Sequence, residues 1–413
     1  MLNPPEQTVL LLTTAKNTLE QKLKTDTYQR YQDLARTGET FGFRLLAAFP
    51  EDIRLKTRTF MARSLVDVKP YAIIGEEQLP SVIYNRISTR KDEWHYASLL
   101  KTLQMMPGVI VFNPRFFNKW TLLELLKDKP SWSFKIPESG RVQGDLPNGL
   151  DALFSRLESQ EQTTIYLKPI HGHAGLGIMT LEMRQAVPTI RSTRSLNHNH
   201  LISQHDDWNQ QDSTRYASCH YQLTLQTAQG LQYTRVDDKE TLTRLIAQLS
   251  KHKPYMWQQG VPRPVTADLP NLSAIDIRAL MQKKSDGRWQ LSGWALRAAS
   301  INGITTHIPR GGVRPPRWST LKRLYPNLEL EPFLKRLKAA AHTITETIDA
   351  YYRHTLGELS LDFALGKEGM LWFLEANSKP MRFDEKRIEG AWRRTFWETV
   401  TYFMKRSHQP DET

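Results

Sequence analysis

A single cysteine, Cys219, stands among 413 residues, which excludes an intramolecular disulfide and any multi-cysteine zinc site. Cys219 itself reads as a small half-buried strand residue, not a nucleophile. No stretch approaches the roughly 18 consecutive apolar residues of a membrane-spanning helix. Met1-Leu-Asn-Pro-Pro5 also lacks the basic and apolar regions of a secretory leader, so the chain reads as cytosolic, with no membrane partner. Missing too is any run of five or more Lys and Arg, although basic residues outnumber acidic ones 56 to 43 and leave a formal net charge of +13. Such charge is compatible with nucleic acid, an anionic surface or an anionic substrate such as a nucleotide; spread this evenly, with no nucleic-acid-binding signature, it argues against the first and reads mostly as a solvated basic surface. No repeat of fixed period is visible.

The composition is that of a folded protein, 39% hydrophobic and 24% charged, and the length suggests two or three lobes. Residues 1 to about 40 are polar and lean towards helix, with Leu10, Leu11, Leu12, Leu19 and Leu23 as a loose stripe. Apolar runs at 43–49, 71–74, 81–85 and 108–112, separated by helix-length stretches, predict a small α/β lobe. A helix is predicted over 116–126 and strands over 163–170 and 178–182, around the glycine-rich turn His171-Gly-His-Ala-Gly-Leu-Gly177. Residues 184–215 read as an exposed excursion. Strands at 220–225 and 231–236, a helix over 239–252 and an extended 255–259 follow. Ser285-Asp-Gly287 and Lys367-Glu-Gly369 each join two strand-like runs into a hairpin, and long amphipathic helices are expected over 329–356 and from 384 to 405.

Chemistry concentrates in three places. On the last hairpin, Glu375 and Asn377 stand two apart and share a strand face; Phe373 is expected to continue that face into the core, and Asp362 on the partner strand can join it. Two carboxylates and an amide oxygen make a hard-oxygen set suited to magnesium. Lys168 ends the strand before the glycine-rich turn, where Gly172, Gly175 and Gly177 would let backbone amides converge on an anion. The spacing is neither a Walker loop nor a dinucleotide fingerprint. His171 and His173, without a third ligand, read as loop residues beside a phosphate. Each pattern also has a bland reading as a turn or an amphipathic hairpin.

In order, Tyr84-Asn-Arg86, Phe116-Phe-Asn-Lys-Trp120, Tyr166-Leu-Lys-Pro169 with its glycine loop, Met256-Trp-Gln-Gln-Gly260, Asp276-Ile-Arg278, Arg310-Gly-Gly312, Gly357-Glu-Leu-Ser-Leu-Asp362 and Glu375-Ala-Asn-Ser-Lys-Pro380 resemble the ATP-grasp superfamily. Within it they resemble most the endospore coat-associated YheC/YheD-type family. The likeness spans about residues 81–385. It implies an α/β ATP-grasp fold: a helical extension over 1–40, an N-terminal α/β lobe over 41–112, and an ATP-grasp domain over 113–405. That domain would have a lid subdomain at about 160–256 and a C-terminal antiparallel metal-binding subdomain, before a polar tail over 406–413. ATP would bind between the last two subdomains.

The resemblance also implies roles. Lys119 and Lys168 would embrace the phosphates, under a loop running from His171 through Gly172 and Gly175 to Gly177. Gln258, Gln259 and Gly260 would form the hinge that holds adenine, with Trp257 or Val261 in apolar contact. Arg278, Arg297 and Lys168 would act on the transferring phosphoryl group. Asp362, Glu375 and Asn377 would hold Mg2+ or Mn2+. Arg310, Gly311, Gly312, Lys379 and Arg382 would bind the acceptor. The implied activity is ATP-dependent carboxylate–amine ligation through an acyl phosphate, in a sporulating cell, with spore-coat proteins as partners. His171, His173 and His307 depart from the expected pattern. They motivate an alternative, a spore-coat assembly or nucleotide-sensing protein that keeps the fold without turnover.

Overall fold

A computed structural model of the chain describes residues 7–14, 26–67, 71–129, 131–142, 150, 153–155, 157, 164–172, 175–185, 219–250, 253–262, 272–300, 303–308 and 311–408. The chain folds as two compact units, Met1–Pro137 with Val261–Thr413, and Glu138–Gly260. Most of the expected excursion over 184–215 lies outside the described residues.

The first unit opens on β1 (Gln7–Thr13), followed by α1 (Asp26–Glu39), β2 (Phe43–Ala48), β3 (Ile53–Arg54), β4 (Thr59–Arg63), β5 (Ile73–Gln78) and β6 (Val82–Arg86). Helices α2 (Arg90–His95) and α3 (Ala97–Met105), strand β7 (Ile110–Phe112) and helix α4 (Lys119–Leu126) come next. Strand β1 corrects the helical reading of residues 1–40. Val9, Leu10, Leu11 and Leu12 are all fully buried, and an unbroken apolar run with no 3.6-residue gaps suits a strand covered on both faces. β1 lies between β2 and β6, parallel to both, and β7 extends the parallel set beyond β6.

The second unit is an antiparallel sheet of six strands: β8 (Ser139–Val142), β9 (Thr164–Pro169), β10 (Met179–Gln185), β11 (Cys219–Gln226), β12 (Leu231–Val236) and β13 (Tyr255–Gln259). Their order across the sheet is β12-β11-β10-β9-β13-β8, and α5 (Lys239–Ser250) precedes β13. Period-two alternation sorts its side chains. Ile165, Leu167, Met179, Leu181, Leu223 and Trp257 pack with Leu242 and Ile246 of α5, which leaves Tyr166, Lys168, Thr180 and Gln258 on the opposite face.

Back in the first unit, β14 (Leu272–Lys283) and β15 (Trp289–Ser300) form the predicted hairpin. Helices α6 (Arg317–Leu324) and α7 (Leu330–Tyr351) lead to β16 (Glu358–Leu365), β17 (Leu371–Asn377) and α8 (Lys386–Ser407). The sheet order is β15-β14-β16-β17. Helix α8 ties the unit together. Its Trp392, Phe396 and Trp397 share one core with Val9 and Leu11 of β1, Leu34 of α1 and Leu280 of β14, while Leu10 and Leu12 face Leu100, Leu103 and Val111 on the other side of the parallel sheet. Among the described residues no helix is long and apolar enough to cross a membrane.

Candidate functional site

The β16–β17 hairpin carries one irregularity, and it falls at the acidic residues. Asp362 pairs with Glu375 but Phe363 pairs with Phe373, so Leu374 is an extra residue in β17. A bulge of this kind re-aims the side chains beyond it. Leu371 and Phe373 are buried before it and Ala376 after it, so the core side switches from odd to even positions. This corrects the expectation that Phe373 shares the face of Glu375. The bulge turns Glu375 and Asn377 away from the core side, onto the face of their partners Asp362 and Ser360.

These groups meet. Asn377 Nδ2 lies 3.4 Å from Asp362 Oδ2 and 3.5 Å from Glu375 Oε1. Partial burial pushes the Asp362 carboxyl up to about 6; Arg278 opposes that shift and the nearby charge of Glu375 adds to it. Among the described residues no group of three or more His, Cys, Asp and Glu could hold a metal, so the candidate set is two carboxylates and an amide.

Cations surround the pair. Asn118 caps α4, its side chain accepting the Thr121 N–H at 3.2 Å, which places Lys119 on the first turn with its Nζ 2.7 Å from Glu375 Oε2. On β14, Arg278 pairs across the ladder with Asp362; its guanidinium lies 3.7 Å from Asp362 Oδ2 and donates to Ser360 Oγ at 3.1 Å. Arg297, opposite Asp276 on β15, has a buried Nε with no hydrogen-bond partner among the described residues. Burial, and then the charge of Arg278, lower its affinity for its proton. Both guanidiniums lie near the Phe383 ring, at 5.8 and 6.0 Å, and Asp276 accepts from Thr306 Oγ1 at 2.7 Å.

In the second unit, Lys168 Nζ donates to Gln258 Oε1 at 2.5 Å, and Gln258 Nε2 to Ser139 Oγ at 3.3 Å. Gln259 exchanges bonds with Glu138 through its backbone N–H (2.8 Å) and side-chain oxygen (3.2 Å), and the Gly260 N–H reaches the Thr164 carbonyl at 2.9 Å. Trp257 corrects one expectation. It belongs to the apolar face with Ile165 and Leu167, opposite the face of Lys168 and Gln258. The glycine loop departs from another: the N–H groups of Gly172 and Gly177 are engaged by the carbonyls of Pro169 (3.1 Å) and Gln226 (2.9 Å), and so do not converge on a shared anion. Gly175 and Gly177 hold positive φ, 72° and 74°, which only glycine adopts without strain. His171 is exposed, and His173 lies outside the described residues.

Lys379 is placed otherwise than the sequence predicts. Its ammonium is buried and donates to Glu93 Oε1, Asn85 Oδ1 and the Ile87 carbonyl, so all three N–H bonds are internal and none is left for an acceptor carboxylate. Arg382 is exposed. Arg310 lies outside the described residues, but Gly311 and Gly312 close a turn onto Ile308 and His307 that delivers Val313 to a bridge with Ala298, next to Arg297. Val261 is buried in the first unit, whose boundary it marks. Sequence reasoning gave no role to Glu93 or Asn113, and saw Asn85 only inside the Tyr84-Asn-Arg86 motif. Asn113, buried with φ 55°, donates to the carbonyls of Glu358 and Ser378 and accepts the Gly357 N–H, tying the start of β16 to the end of β17. The Asn-Pro turn after the β7 run was the visible signal for it.

Residues 108–405 match the YheC/D like ATP-grasp family. Two proteins of Bacillus subtilis (strain 168) are similar. Endospore coat-associated protein YheD is 25% identical over 74% of this chain and 57% of its own, so the chain spans little more than half of it. Endospore coat-associated protein YheC is 23% identical over 86% of both. Among solved structures, D-alanyl-alanine synthetase A of Vibrio cholerae superposes with a TM-score of 0.51 at 12% identity, over 98% of this chain and 99% of that one. The D-alanine-D-alanine ligase of Coxiella burnetii does so at 0.52 and 9%, over 98% and 95%. These superpositions speak for the fold alone, and it is the ATP-grasp fold expected from the motifs. With the family match covering both strands of the acidic hairpin, Lys119 and Lys168, the chain belongs to the YheC/D-like ATP-grasp family.

Proposed function

We propose that the protein binds ATP with magnesium or manganese and uses it to join a carboxylate to an amine through an acyl phosphate, in connection with spore formation. The observation that carries this is the Leu374 bulge, which sets Glu375 and Asn377 on one face with Asp362, beside Lys119 and Arg278. The donor set fits the cation. Its oxygens are hard ligands, few enough to leave positions for water and phosphate, and the raised pKa of Asp362 reflects burial first and the nearby Glu375 second, a cost to its charge that a divalent ion offsets. The Asn377 amide presents its oxygen by a half-turn about its last torsion. When bound, the ion would neutralise charge on the β- and γ-phosphates.

The protein's own groups do the rest by position and charge. Lys119, released from Glu375, and Lys168, released from Gln258, would each hold phosphate. The Gln258–Gly260 backbone would hold adenine. Arg278 and Arg297 would steady the transferring phosphoryl group with their planar forks. The names of the two Bacillus relatives support a link to the spore coat, with coat proteins as partners. Acceptor groups would come from Gly311, Gly312 and Arg382.

The test is a thermal-shift titration with Mg2+ and ATP. Saturating ligand at a hundred times Kd adds about 2.7 kcal/mol, read as a rise in Tm that Glu375→Ala abolishes. No rise in the parent, or an equal rise in the variant, sinks the reading. The Lys119–Glu375 ion pair favours a second reading, a site closed on itself that senses nucleotide or assembles coat without turnover. ATP binding with no phosphate released in extracts of a sporulating culture would select it.

A further inference from the structure

Glu93 lies in the short helix α2, remote in sequence from the acidic hairpin, yet it grips the chain on both sides of the site. Its Oε1 accepts from Lys379 Nζ at 2.5 Å and from Asn85 Nδ2 at 3.4 Å. Its Oε2 accepts the Phe116 N–H at 2.9 Å. Phe116 precedes Lys119 on the way into α4, and Lys379 follows Asn377 on the way out of β17. The Lys379 ammonium is completed by Asn85 Oδ1 at 3.1 Å and the Ile87 carbonyl at 3.0 Å, and lies 4.5 Å from the centre of the Phe116 ring. The two side chains are only 10% and 3% exposed, so this is a dry ion pair with its remaining valences met inside the protein. Such a pair tolerates little displacement, because removing one partner strands the other's charge away from water. Neighbouring bonds close the same frame. Arg90 donates to the Phe117 carbonyl, and Ser378 Oγ to the Arg115 carbonyl at 2.7 Å.

We infer that Glu93 is a positioning residue, which clasps the lead-in of α4 to the segment after β17 through Lys379 and thereby sets where Lys119 meets Glu375. Neither Glu93 nor Lys379 touches ligand in this scheme. Its bearing on catalysis rests on the ATP reading given above, but the contact it controls, Lys119 to Glu375, is measurable without nucleotide.

Two variants of the full chain separate positioning from mere support. Glu93→Gln keeps an acceptor for the Phe116 N–H and removes the charge that holds Lys379. Adding Lys379→Met removes the stranded ammonium as well, and is expected to restore much of the lost Tm. The first readout is the rate at which acetic anhydride acylates Lys119 in the ligand-free protein, measured by peptide mass spectrometry against the exposed Lys127 at the C-terminal end of α4. Both variants should unmask Lys119 several-fold, while Leu103→Ala, a core cut in α3, should not. The second readout is affinity for Mg2+–ATP, expected to fall about 10-fold in both variants, as for other groups that orient a ligand-binding residue. Unchanged Lys119 acylation in both variants, or equal unmasking by Leu103→Ala, overturns the inference. If Lys119 is unmasked as expected while the parent protein binds no ATP, the clasp stands and the nucleotide reading falls.

Discussion

At the scale of single residues, Asp362 carries the plainest consequence. Its folded pKa, about 6, lies above the ordinary 3.8 because burial and Glu375 disfavour its charge. The folded state therefore binds the proton more tightly than the unfolded chain, a contribution fully present below pH 4 and lost as pH rises through 6. Ligand-free melting curves should show Asp362→Asn gaining stability relative to the parent between pH 4.5 and 7; a constant difference across that range would contradict the assignment. The shared face of Glu375 and Asn377, and the place of Lys168 near the end of β9, were legible in the sequence because a strand's period of two assigns faces with few alternatives. Lys379 was not. It stands in the same motif, but its role is set by Glu93, 286 residues away, and no local pattern announces a partner at that distance.

Elements repeat the lesson at larger size. The hairpin of β16 and β17 was predictable from its turn and its alternation, whereas the bulge inside it was not, since Leu374 looks like any other strand residue and only the register reveals it. Deleting Leu374 removes the extra residue, so Phe373 and Glu375 become neighbours on opposite faces and Glu375 stays opposite Asp362 in a now regular ladder. The expected result is a chain that keeps the nucleotide-dependent rise in Tm; a folded deletion variant that loses it would show that the bulge itself, and not the face it selects, shapes the site. For α4, Asn118→Ala removes the cap and should cost about 1 kcal/mol, read by denaturant unfolding, with Lys119 loosened as the first turn frays. Strand β1 was misread for a related reason. Four consecutive buried apolar residues carry no period at all, and the polar stretch around them tilted the reading towards helix.

For the whole molecule, the ordered series of motifs conveyed the fold although each motif was weak by itself. The second unit begins and ends at Glu138 and Gly260, and the backbone bonds of Gln259 to Glu138 and of Gly260 to Thr164 hold its two ends side by side on adjacent strands. Gly260 admits no side chain there, a Cβ falling 2.5 Å from the Thr164 carbonyl oxygen. Gly260→Val should therefore lower Tm by several degrees, and an unchanged Tm would show that this joint yields freely.

The placing of α8 against β1 has a consequence for the order of events on the ribosome. Chains are made from the N-terminus and domains usually fold as they emerge, yet Val9 and Leu11 find Trp392, Phe396 and Trp397 only when α8 has been made. From the time β1 is made until α8 follows, that face of the parallel sheet lacks much of its cover, and the lobe waits, sticky and incomplete, for a segment far downstream of it. Chains stopped after residue 385 should bind a hydrophobic dye and aggregate, and adding the α8 peptide in trans should suppress both. Soluble, dye-silent truncated chains would show that the lobe finds another way to close.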